Sequence, residues 1–187
     1  MVGSKIYFHS DPDTVWYAGA TLDLDNGAKT AHIGSNEKDK GQFELVKDVG
    51  YVTGCSLLVK REVIDRIGLI PEAYFLYFEE TEWNLLTQRA GYRTVFAPRS
   101  KLWHKVSTNV QINPVFLYYM TRNRFLFVKR NSKQSLRKCI DLQYQRGSFT
   151  VKDLWNKNQK YKATRVLALI ALAWIDGLLL SRTGKTM

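Results

Sequence analysis

The stretch YFLYFEETEW, residues 74–83, joins five aromatic or aliphatic residues directly to three carboxylates within four positions. The run Tyr74–Phe78 is too apolar for a turn and is short enough for a buried strand or for a loop pressed into the core. From Glu79 onward the apolar residues follow helical spacing, and Gly91 is a residue type that ends helices in the left-handed conformation. The stretch therefore predicts a helix that begins at Glu79 and follows a buried segment.

The three carboxylates of this stretch, Glu79, Glu80 and Glu82, have two interpretations. Acidic residues in a first helical turn interact favourably with the helix macrodipole, by a few tenths to about 1 kcal/mol each. Alternatively, the apolar run brings the carboxylates to the rim of a pocket, where burial or a neighbouring charge raises one pKa for proton abstraction. The local pattern leaves both interpretations open.

Composition indicates a globular chain with anionic partners. Its 187 residues are about one domain in length, and 45% of them are apolar, which is enough for a substantial core. The formal net charge of +11, from 28 basic and 17 acidic residues, favours nucleotide phosphates, an acidic membrane surface or nucleic acid as partner. Because the sequence shows no recognisable nucleic-acid-binding motif, we rank nucleic acid last and expect no such partner.

The cysteines and the N-terminus predict a cytoplasmic protein. Cys55 and Cys139 match no metal-ligand spacing and are expected to be buried, reduced thiols. No apolar signal segment follows Met1. The apolar run that starts at Val166 is interrupted at Asp176 and is shorter than the roughly 20 residues of a bilayer span, which predicts a packed or interfacial helix.

Strand-like and helix-like segments alternate along the chain, which predicts an α/β layered domain. We expect this domain to cover residues 1–115 and a helical extension to cover residues 116–187. The predicted strands are Lys5–Phe8, Val15–Gly19, Asp48–Val59, Tyr92–Ala97 and Lys101–Lys105, and the predicted helices are Arg61–Ile67, the segment from Glu79, the segment from Phe116, and Lys160–Ser181.

Several single residues are candidates for function. Asp23 and Asp25 form an Asp-x-Asp, but the Asn-Gly that follows predicts a hairpin turn instead of a metal site. His32, in a long polar loop, is a weak candidate. His104 lies 24 residues after Glu80, and the intervening helix and strand can return it to the same sheet edge. It is either a half-buried strand end or an imidazole suited to a divalent metal.

Taken together, these segments resemble the C-terminal half of the family 2 (GT-A type) glycosyltransferases, in the rhamnosyltransferase-like branch. The resemblance covers most of the chain, and its most specific part is residues 75–83 together with Trp103-His104-Lys105. The other matching segments are Val2–Ile6, Trp16–Gly19, Tyr51–Val59, Ile67–Glu72, Ala90–Tyr92, Tyr118-Tyr119 and Arg122–Arg124.

The resemblance implies an incomplete GT-A fold, a mixed sheet flanked by helices with a C-terminal helical extension. It also implies inverting transfer of a sugar from a nucleotide-diphosphate donor to a hydroxyl of a glycan or lipid-linked acceptor in cell-surface polysaccharide synthesis. Glu80, with Glu79 beside it, would be the general base, and His104 would help to hold Mn²⁺ or Mg²⁺ on the donor. The acceptor side would be formed by Gly54, Cys55, Glu82 and Trp83.

Two departures from the family pattern shape our expectations. The family has Asp where this chain has Glu80, and the extra methylene moves the carboxylate by about 1 Å, enough to affect a positioned base. The family's N-terminal half, with its metal-binding Asp-x-Asp, has no counterpart here, so we expect a donor and metal site that this chain alone leaves incomplete.

The competing hypothesis is a non-catalytic module. In that case the basic and apolar C-terminal helices bind a partner or the anionic inner face of the plasma membrane, and the glutamates only cap a helix. We also expect self-association through the exposed edge of a truncated sheet.

Overall fold

The computed structural model describes residues 1–106, 114–134, 138 and 160–182, and shows a mixed α/β protein. The described residues fall into two compact units. The first comprises those of Met1–Leu22, Lys29–Phe75 and Glu79–Thr108, and the second those of Asp23–Ala28, Leu76–Phe78 and Asn109–Met187. The predicted boundary between residues 115 and 116 stays a prediction.

A six-stranded mixed sheet forms the centre of the first unit. The described residues contain eight strands, six in this sheet and two in a separate pair. They are β1 (Val2–Phe8), β2 (Asp11–Tyr17), β3 (Ala20–Asp23), β4 (Lys29–His32), β5 (Glu37–Lys38), β6 (Lys47–Asp48), β7 (Leu57–Leu58) and β8 (Val95–His104). The sheet order is β5-β2-β1-β8-β6, with β7 also paired to β1, while β3 and β4 form a separate pair. Within the described six-stranded sheet, β1 and β8 pair in parallel, and the other neighbouring strands pair antiparallel. The core around β1 contains Ile6, Val15, Tyr17, Val52, Val63, Trp83 and Phe96.

Two helices of the first unit begin and end where the sequence predicts. Helix α1 (Arg61–Ile67) buries Val63 and stops at Gly68, and helix α2 (Glu79–Arg89) stops before Gly91. Both glycines have positive φ, 84° and 87°, which L side chains rarely adopt. The glycine stops and the α2 start are therefore confirmed.

The turn after β3 confirms the hairpin interpretation of Asp23 and Asp25. Residues Leu24–Asn26 form a single 3₁₀ turn, and the Asp23 side chain accepts a hydrogen bond from the backbone N–H of Asp25. Gly27 ends the turn in the left-handed conformation, with φ of 62°. The chain then returns as β4, so the segment 29–41, expected to be a loop, contains β4 and β5.

One strand prediction is wrong, and two other predicted strands are joined into one. Of the segment Asp48–Val59, only Asp48 in β6 and Leu57–Leu58 in β7 lie in strands, and the segment turns at Gly54 and Cys55. At Val52, both backbone groups pair with the side chain of Asn84 and not with a neighbouring strand. The segments 92–97 and 101–105 are not two strands: β8 continues through Pro98, and a register shift opposite Ser4 and Lys5 accommodates the proline.

The aromatic run Tyr74–Phe78 is a loop that begins with the 3₁₀ turn Glu72–Tyr74. Tyr74 and Phe78 are buried, whereas Phe75 is exposed. The expected burial of both cysteines is wrong for Cys55, which is exposed because it lies in a turn. Cys139 lies outside the described residues.

The described part of the second unit is dominated by two helices packed on each other, α3 (Pro114–Asn131) and α4 (Lys160–Arg182). Pro114 occupies the first position of α3, where its missing N–H is not needed. A side chain at Gly177 would lie 3.1 Å from the carbonyl oxygen of Arg122, so this glycine permits close packing of α4 on α3. Among the described residues, no helix is long and apolar enough to cross a membrane.

Candidate functional site

Glu80 lies in the first turn of α2, which is fixed to the segment after β6 by Asn84. The N–H of Val52 donates to Asn84 Oδ1 (3.1 Å), and Asn84 Nδ2 donates to the carbonyl oxygens of Val52 (3.0 Å) and Glu80 (2.7 Å). Asn84 and Val52 are both fully buried. The backbone of Glu80 is therefore held against residues 51–54.

The carboxyl group of Glu80 is an unusual acid. Burial, and then the negative charge of Glu79, raise its pKa to about 7, and hydrogen bonds from the backbone N–H groups of Glu80 and Thr81 only partly oppose this shift. Within the part of the chain that the structure describes, Oε2 of Glu80 and Oε2 of Glu79 are buried without a hydrogen-bond partner. A buried carboxylate oxygen without a donor is suited to accept a proton from a bound hydroxyl.

Gly54 lies directly beside Glu80. A methyl group built on Gly54 would lie 3.8 Å from Cβ and Cγ of Glu80 and would meet no other atom within 4 Å. Gly54 and the neighbouring Cys55 are exposed in the turn that follows Thr53. The structure thus brings together Glu79, Glu80, Gly54 and Cys55, with free space next to the Glu80 side chain.

Glu82 and Trp83, the other two predicted acceptor-side residues, are buried in the packing of α2. Trp83 belongs to the core, and its indole Nε1 donates to the carbonyl oxygen of Gly68 (3.0 Å) at the end of α1. Any influence of Trp83 on a substrate therefore acts through the position of α2.

Aromatic side chains form the surroundings of Glu80 on the side of β2. The pKa of Tyr51 is raised to about 12 by burial and by the charge of Glu80, and the pKa of Tyr17 is raised by burial and, more weakly, by Tyr51 and Glu80. The hydroxyl of Tyr17 donates to the carbonyl oxygen of Tyr51 (2.8 Å). Both phenols stay protonated at neutral pH, so they remain hydrogen-bond donors.

His32 lies in the same aromatic group. Its ring centroid is 4.8 Å from that of Trp16, 5.1 Å from that of Tyr17 and 6.2 Å from that of Tyr51. Burial lowers its pKa, although a backbone hydrogen bond at Trp16 opposes the shift, so the imidazole is neutral near pH 7. From the sequence, His32 was only a weak candidate. The Asn-Gly turn was the available signal, because it folds β4 back beside β3.

His104 ends β8, and its imidazole contacts Trp16 edge-on, with ring centroids 5.0 Å apart. Trp16 therefore contacts two imidazoles, those of His32 and His104. Over the described ranges, no group of three or more His, Cys, Asp or Glu side chains is placed to hold a metal ion. His104 offers one imidazole ligand, and the described side chains do not complete a metal site around it.

Two cavities, of about 430 and 450 Å³, are lined by other residues of the first unit and contain none of the predicted site residues. The space beside Gly54 adjoins Cβ and Cγ of Glu80, and Gly54 itself is exposed. The predicted roles of the site residues stay predictions, and the structure shows only where these residues lie. They are Glu79, Glu80, Gly54, Cys55, Glu82, Trp83 and His104.

Known proteins resemble this chain over part of its length. No family model matches the chain. It is 29% identical over 113 residues to the uncharacterized protein y4gI of Sinorhizobium fredii, which covers 58% of this chain and 12% of that protein. It is 29% identical over 101 residues to the dTDP-rhamnosyl transferase RfbF of Shigella flexneri, covering 49% of this chain and 33% of that protein.

A third similarity is to the N-acetylglucosaminyl-diphospho-decaprenol L-rhamnosyltransferase of Mycobacterium tuberculosis. It is 31% identical over 58 residues, which cover 31% of this chain and 19% of that protein. The matched segments thus span at most 33% of the length of these relatives. The chain is similar, over part of its length, to two proteins that are named as rhamnosyltransferases.

Proposed function

We propose that this chain carries the acceptor-side part of a glycosyltransferase site in which Glu80 is the general base. The observation that carries the proposal is the Glu80 carboxyl group itself: it is buried, has a pKa of about 7 and has one oxygen without a donor, next to open space at Gly54. The partial similarity to rhamnosyltransferases supports a nucleotide-sugar donor and a glycan or lipid-linked acceptor.

In the proposed reaction, an acceptor hydroxyl lies beside Gly54 and donates a hydrogen bond to Oε2 of Glu80. As the hydroxyl oxygen attacks the anomeric carbon of the donor sugar, its proton passes to Glu80, and the bond to the nucleotide diphosphate breaks on the opposite face. Because the hydroxyl attacks from the face opposite to the leaving group, the anomeric configuration is inverted. A base with a pKa of about 7 is well matched to this transfer at neutral pH, since it is partly ionised and still basic.

The charge and the N–H groups near Glu80 set the pKa of this base. Glu79 raises the pKa of Glu80, while the N–H groups at the start of α2 prevent a larger shift. The protonated phenol of Tyr51 and the neutral imidazole of His32 add polar groups to the aromatic surroundings of Glu80, which form one wall of the proposed site. We propose that this wall contacts the sugars that meet at the Glu80 carboxylate.

The donor side is proposed more coarsely. A divalent metal, Mn²⁺ or Mg²⁺, is expected from the family resemblance, and His104 would supply one ligand to it. Because the described residues do not complete a ligand set, no step of the reaction is assigned to the metal. The net charge of +11 is favourable for an anionic nucleotide diphosphate.

The test is a transfer assay on the whole chain. Release of nucleotide diphosphate from dTDP- and UDP-sugars is measured with Mn²⁺ and a lipid-linked glycan extract, for wild type, Glu80→Gln and the exposed control Glu72→Gln. We expect Glu80→Gln to lower turnover by about 10²–10⁴-fold, the usual contribution of a general base, with donor binding by calorimetry unchanged. Full turnover in Glu80→Gln, or no turnover in wild type that binds donor and acceptor, would overturn the proposal.

A second candidate function, a membrane- or partner-binding module, is favoured by one observation on α4. Leu172, Ile175 and Leu179, at helical spacing, and also Leu167 are exposed apolar side chains. Co-sedimentation with vesicles that contain an anionic lipid, compared with neutral vesicles, tests this candidate. Vesicle binding that is lost in Leu172→Ser/Ile175→Ser would support it and would also place a catalytic chain at the membrane surface.

A further inference from the structure

A second cleft, of about 450 Å³, lies away from Glu80 in the first unit. Its lining includes two aromatic rings, Tyr7 and Trp103, and four charged side chains, Asp13, Asp39, Glu44 and Lys101. Tyr7 and Trp103 are register partners on β1 and β8, so their side chains share one face of the sheet. Since successive side chains of a strand alternate, His104 points to the other face.

The two rings form a platform. Tyr7 and Trp103 are stacked, with centroids 5.6 Å apart and planes 20° apart. The indole Nε1 of Trp103 donates to the carbonyl oxygen of Pro12 (3.1 Å), so its polar end is satisfied while half of the side chain stays exposed. An exposed aromatic residue that is fixed from two sides presents a flat, rigid and apolar surface to a ligand.

The platform is held by a buried charge network. The hydroxyl of Tyr7 donates to Asp39 Oδ2 (2.5 Å), which also accepts from Lys5 Nζ (2.8 Å), and Gly41 N–H donates to Asp39 Oδ1 (2.9 Å). Lys5 also pairs with Glu44. Lys5 is fully buried while Glu44 is about half exposed, and the hydrogen bond to Asp39 fixes the position of the Tyr7 ring.

The remaining polar groups define the ligand chemistry. The Asp39 carboxylate already accepts three hydrogen bonds, whereas Asp13, Glu44 and Lys101 are exposed residues of the cleft, and Glu44 has one oxygen besides the one paired with Lys5. Three carboxylates against Lys5 and Lys101 leave the cleft with no excess of positive charge, which disfavours a nucleotide diphosphate. Acceptor oxygens around a flat apolar face are suited to a neutral molecule with many hydroxyl groups.

We propose that this cleft is a saccharide-binding subsite, in which the C–H face of a neutral sugar ring stacks on Trp103 and its hydroxyls donate to Asp13 and Glu44. Binding here is separate from the Glu80 carboxylate. If the proposed transferase function holds, the sugar bound in the subsite would be a unit of the glycan acceptor, at a distance from the reacting hydroxyl. The identity of this sugar as part of the acceptor rests on the proposed function, whereas saccharide binding in the cleft does not.

The test is ligand-observed and protein-observed NMR on the full chain, with the methyl glycosides of rhamnose, N-acetylglucosamine and glucose as probes. We expect saturation transfer to the ring C–H protons of at least one glycoside and a shift of the Trp103 indole N–H signal, identified by its loss in Trp103→Phe. Trp103→Ala is expected to weaken binding by about tenfold, and Trp103→Phe by less, since a ring is retained.

Two controls separate this proposal from its alternatives. Leu69→Ala removes an apolar side chain elsewhere that is more exposed than Trp103, and it is expected to leave binding unchanged. Glu80→Gln is expected to leave it unchanged as well, even if that variant abolishes transfer. If Trp103→Ala fails to fold, Glu44→Gln and Trp103→Phe serve as the test pair. Absence of glycoside binding in wild type, unchanged affinity in the Trp103 variants, or loss of binding in Glu80→Gln would overturn the subsite.

Discussion

The side-chain amide of Asn84 pairs with both backbone groups of Val52: it accepts from the Val52 N–H over 3.1 Å and donates to the Val52 carbonyl oxygen over 3.0 Å. These are the two bonds that a neighbouring β-strand would otherwise form with a residue of the ladder. A single buried side chain on α2 thus takes the place of a strand and joins the start of that helix to the segment that carries Gly54.

Asn84→Ala should therefore destabilise the protein strongly. The substitution leaves the buried N–H and C=O of Val52 without these partners, for an expected loss of about 2–4 kcal/mol in the free energy of unfolding. Urea unfolding followed by circular dichroism measures this change. Gln88→Ala is the control, because the Gln88 amide also donates to backbone carbonyls, those of Val49 and Gly50, but is less buried. An equal loss in both variants would contradict the special role of Asn84.

Alanine substitution should destabilise the protein at Gly50 but not at Gly54, four residues later. A methyl group on Gly50 would lie 2.6 Å from the backbone nitrogen of Leu22, which cannot move away as a flexible side chain can, whereas a methyl group on Gly54 fits. We expect Gly50→Ala to cost about 1–3 kcal/mol of stability and Gly54→Ala to stay within about 0.5 kcal/mol. Thermal unfolding of the two variants side by side measures the difference, and a destabilised Gly54→Ala would mean that the turn is tighter than described.

Glu80 should make stability depend on pH in a predictable direction. Its pKa is about 7 in the folded protein against an ordinary 4.5, so the unfolded chain releases the proton first as the pH rises. Ionisation of Glu80 thus lowers stability progressively between pH 4.5 and about 7, and the cost is absent at lower pH. Glu80→Gln is expected to be more stable than wild type near pH 8, by up to about 3 kcal/mol, and similar to it near pH 4.

The measurement is chemical denaturation of wild type and Glu80→Gln across this pH range. Glu79→Gln supplies an independent check, because removal of the neighbouring charge should lower the pKa of Glu80 as followed by carbon NMR of its carboxyl group. A constant stability difference between wild type and Glu80→Gln at all pH values would show that Glu80 titrates normally.

Asn123 of α3 should control the mobility of the loop before Glu79. Its side-chain amide donates to the carbonyl oxygens of Leu76 (2.6 Å) and Tyr77 (2.8 Å), while Tyr77 and Phe78 have φ of 67° and 72°, values that are unfavourable for bulky residues. In Asn123→Ala, we expect amide exchange in the peptide that spans residues 76–78 to become about tenfold faster or more. Hydrogen-exchange mass spectrometry measures this rate.

Asn131→Ala is the matched control, since the Asn131 amide donates within its own helix, to the Phe127 carbonyl oxygen. Its exchange in residues 76–78 should equal that of wild type. Unchanged exchange in Asn123→Ala would mean that the two hydrogen bonds do not hold the loop.

Local signals in the sequence were sufficient for the helices of the first unit. Gly68 and Gly91 end α1 and α2 because each adopts positive φ there. Glycine adopts positive φ readily, so the residue type alone predicts these helix ends. The strand predicted over residues 48–59 failed for a non-local reason. Its β-branched residues fit a strand, but the partner of Val52 is a side chain 32 positions away, which no local pattern reveals.

The candidate site was predictable only in part. The position of Glu80 at a helix start follows from the sequence, and its burial does not, because burial depends on the packing of residues 51–54 and Tyr17 around it. The aromatic surroundings of His32 were missed because they arise from the β3–β4 pairing. The Tyr7–Trp103 platform was missed for a similar reason, since parallel pairing joins residues 96 positions apart.

The two outermost strands of the sheet, β5 and β6, have a consequence for assembly. Each is two residues long, and both of its residues are charged: Glu37 and Lys38 in one, Lys47 and Asp48 in the other. Such edges offer an incoming strand few free backbone groups and force it to meet charge on both faces, which opposes edge-to-edge growth of the sheet. The self-association that we expected through an exposed sheet edge is therefore disfavoured at β5 and β6.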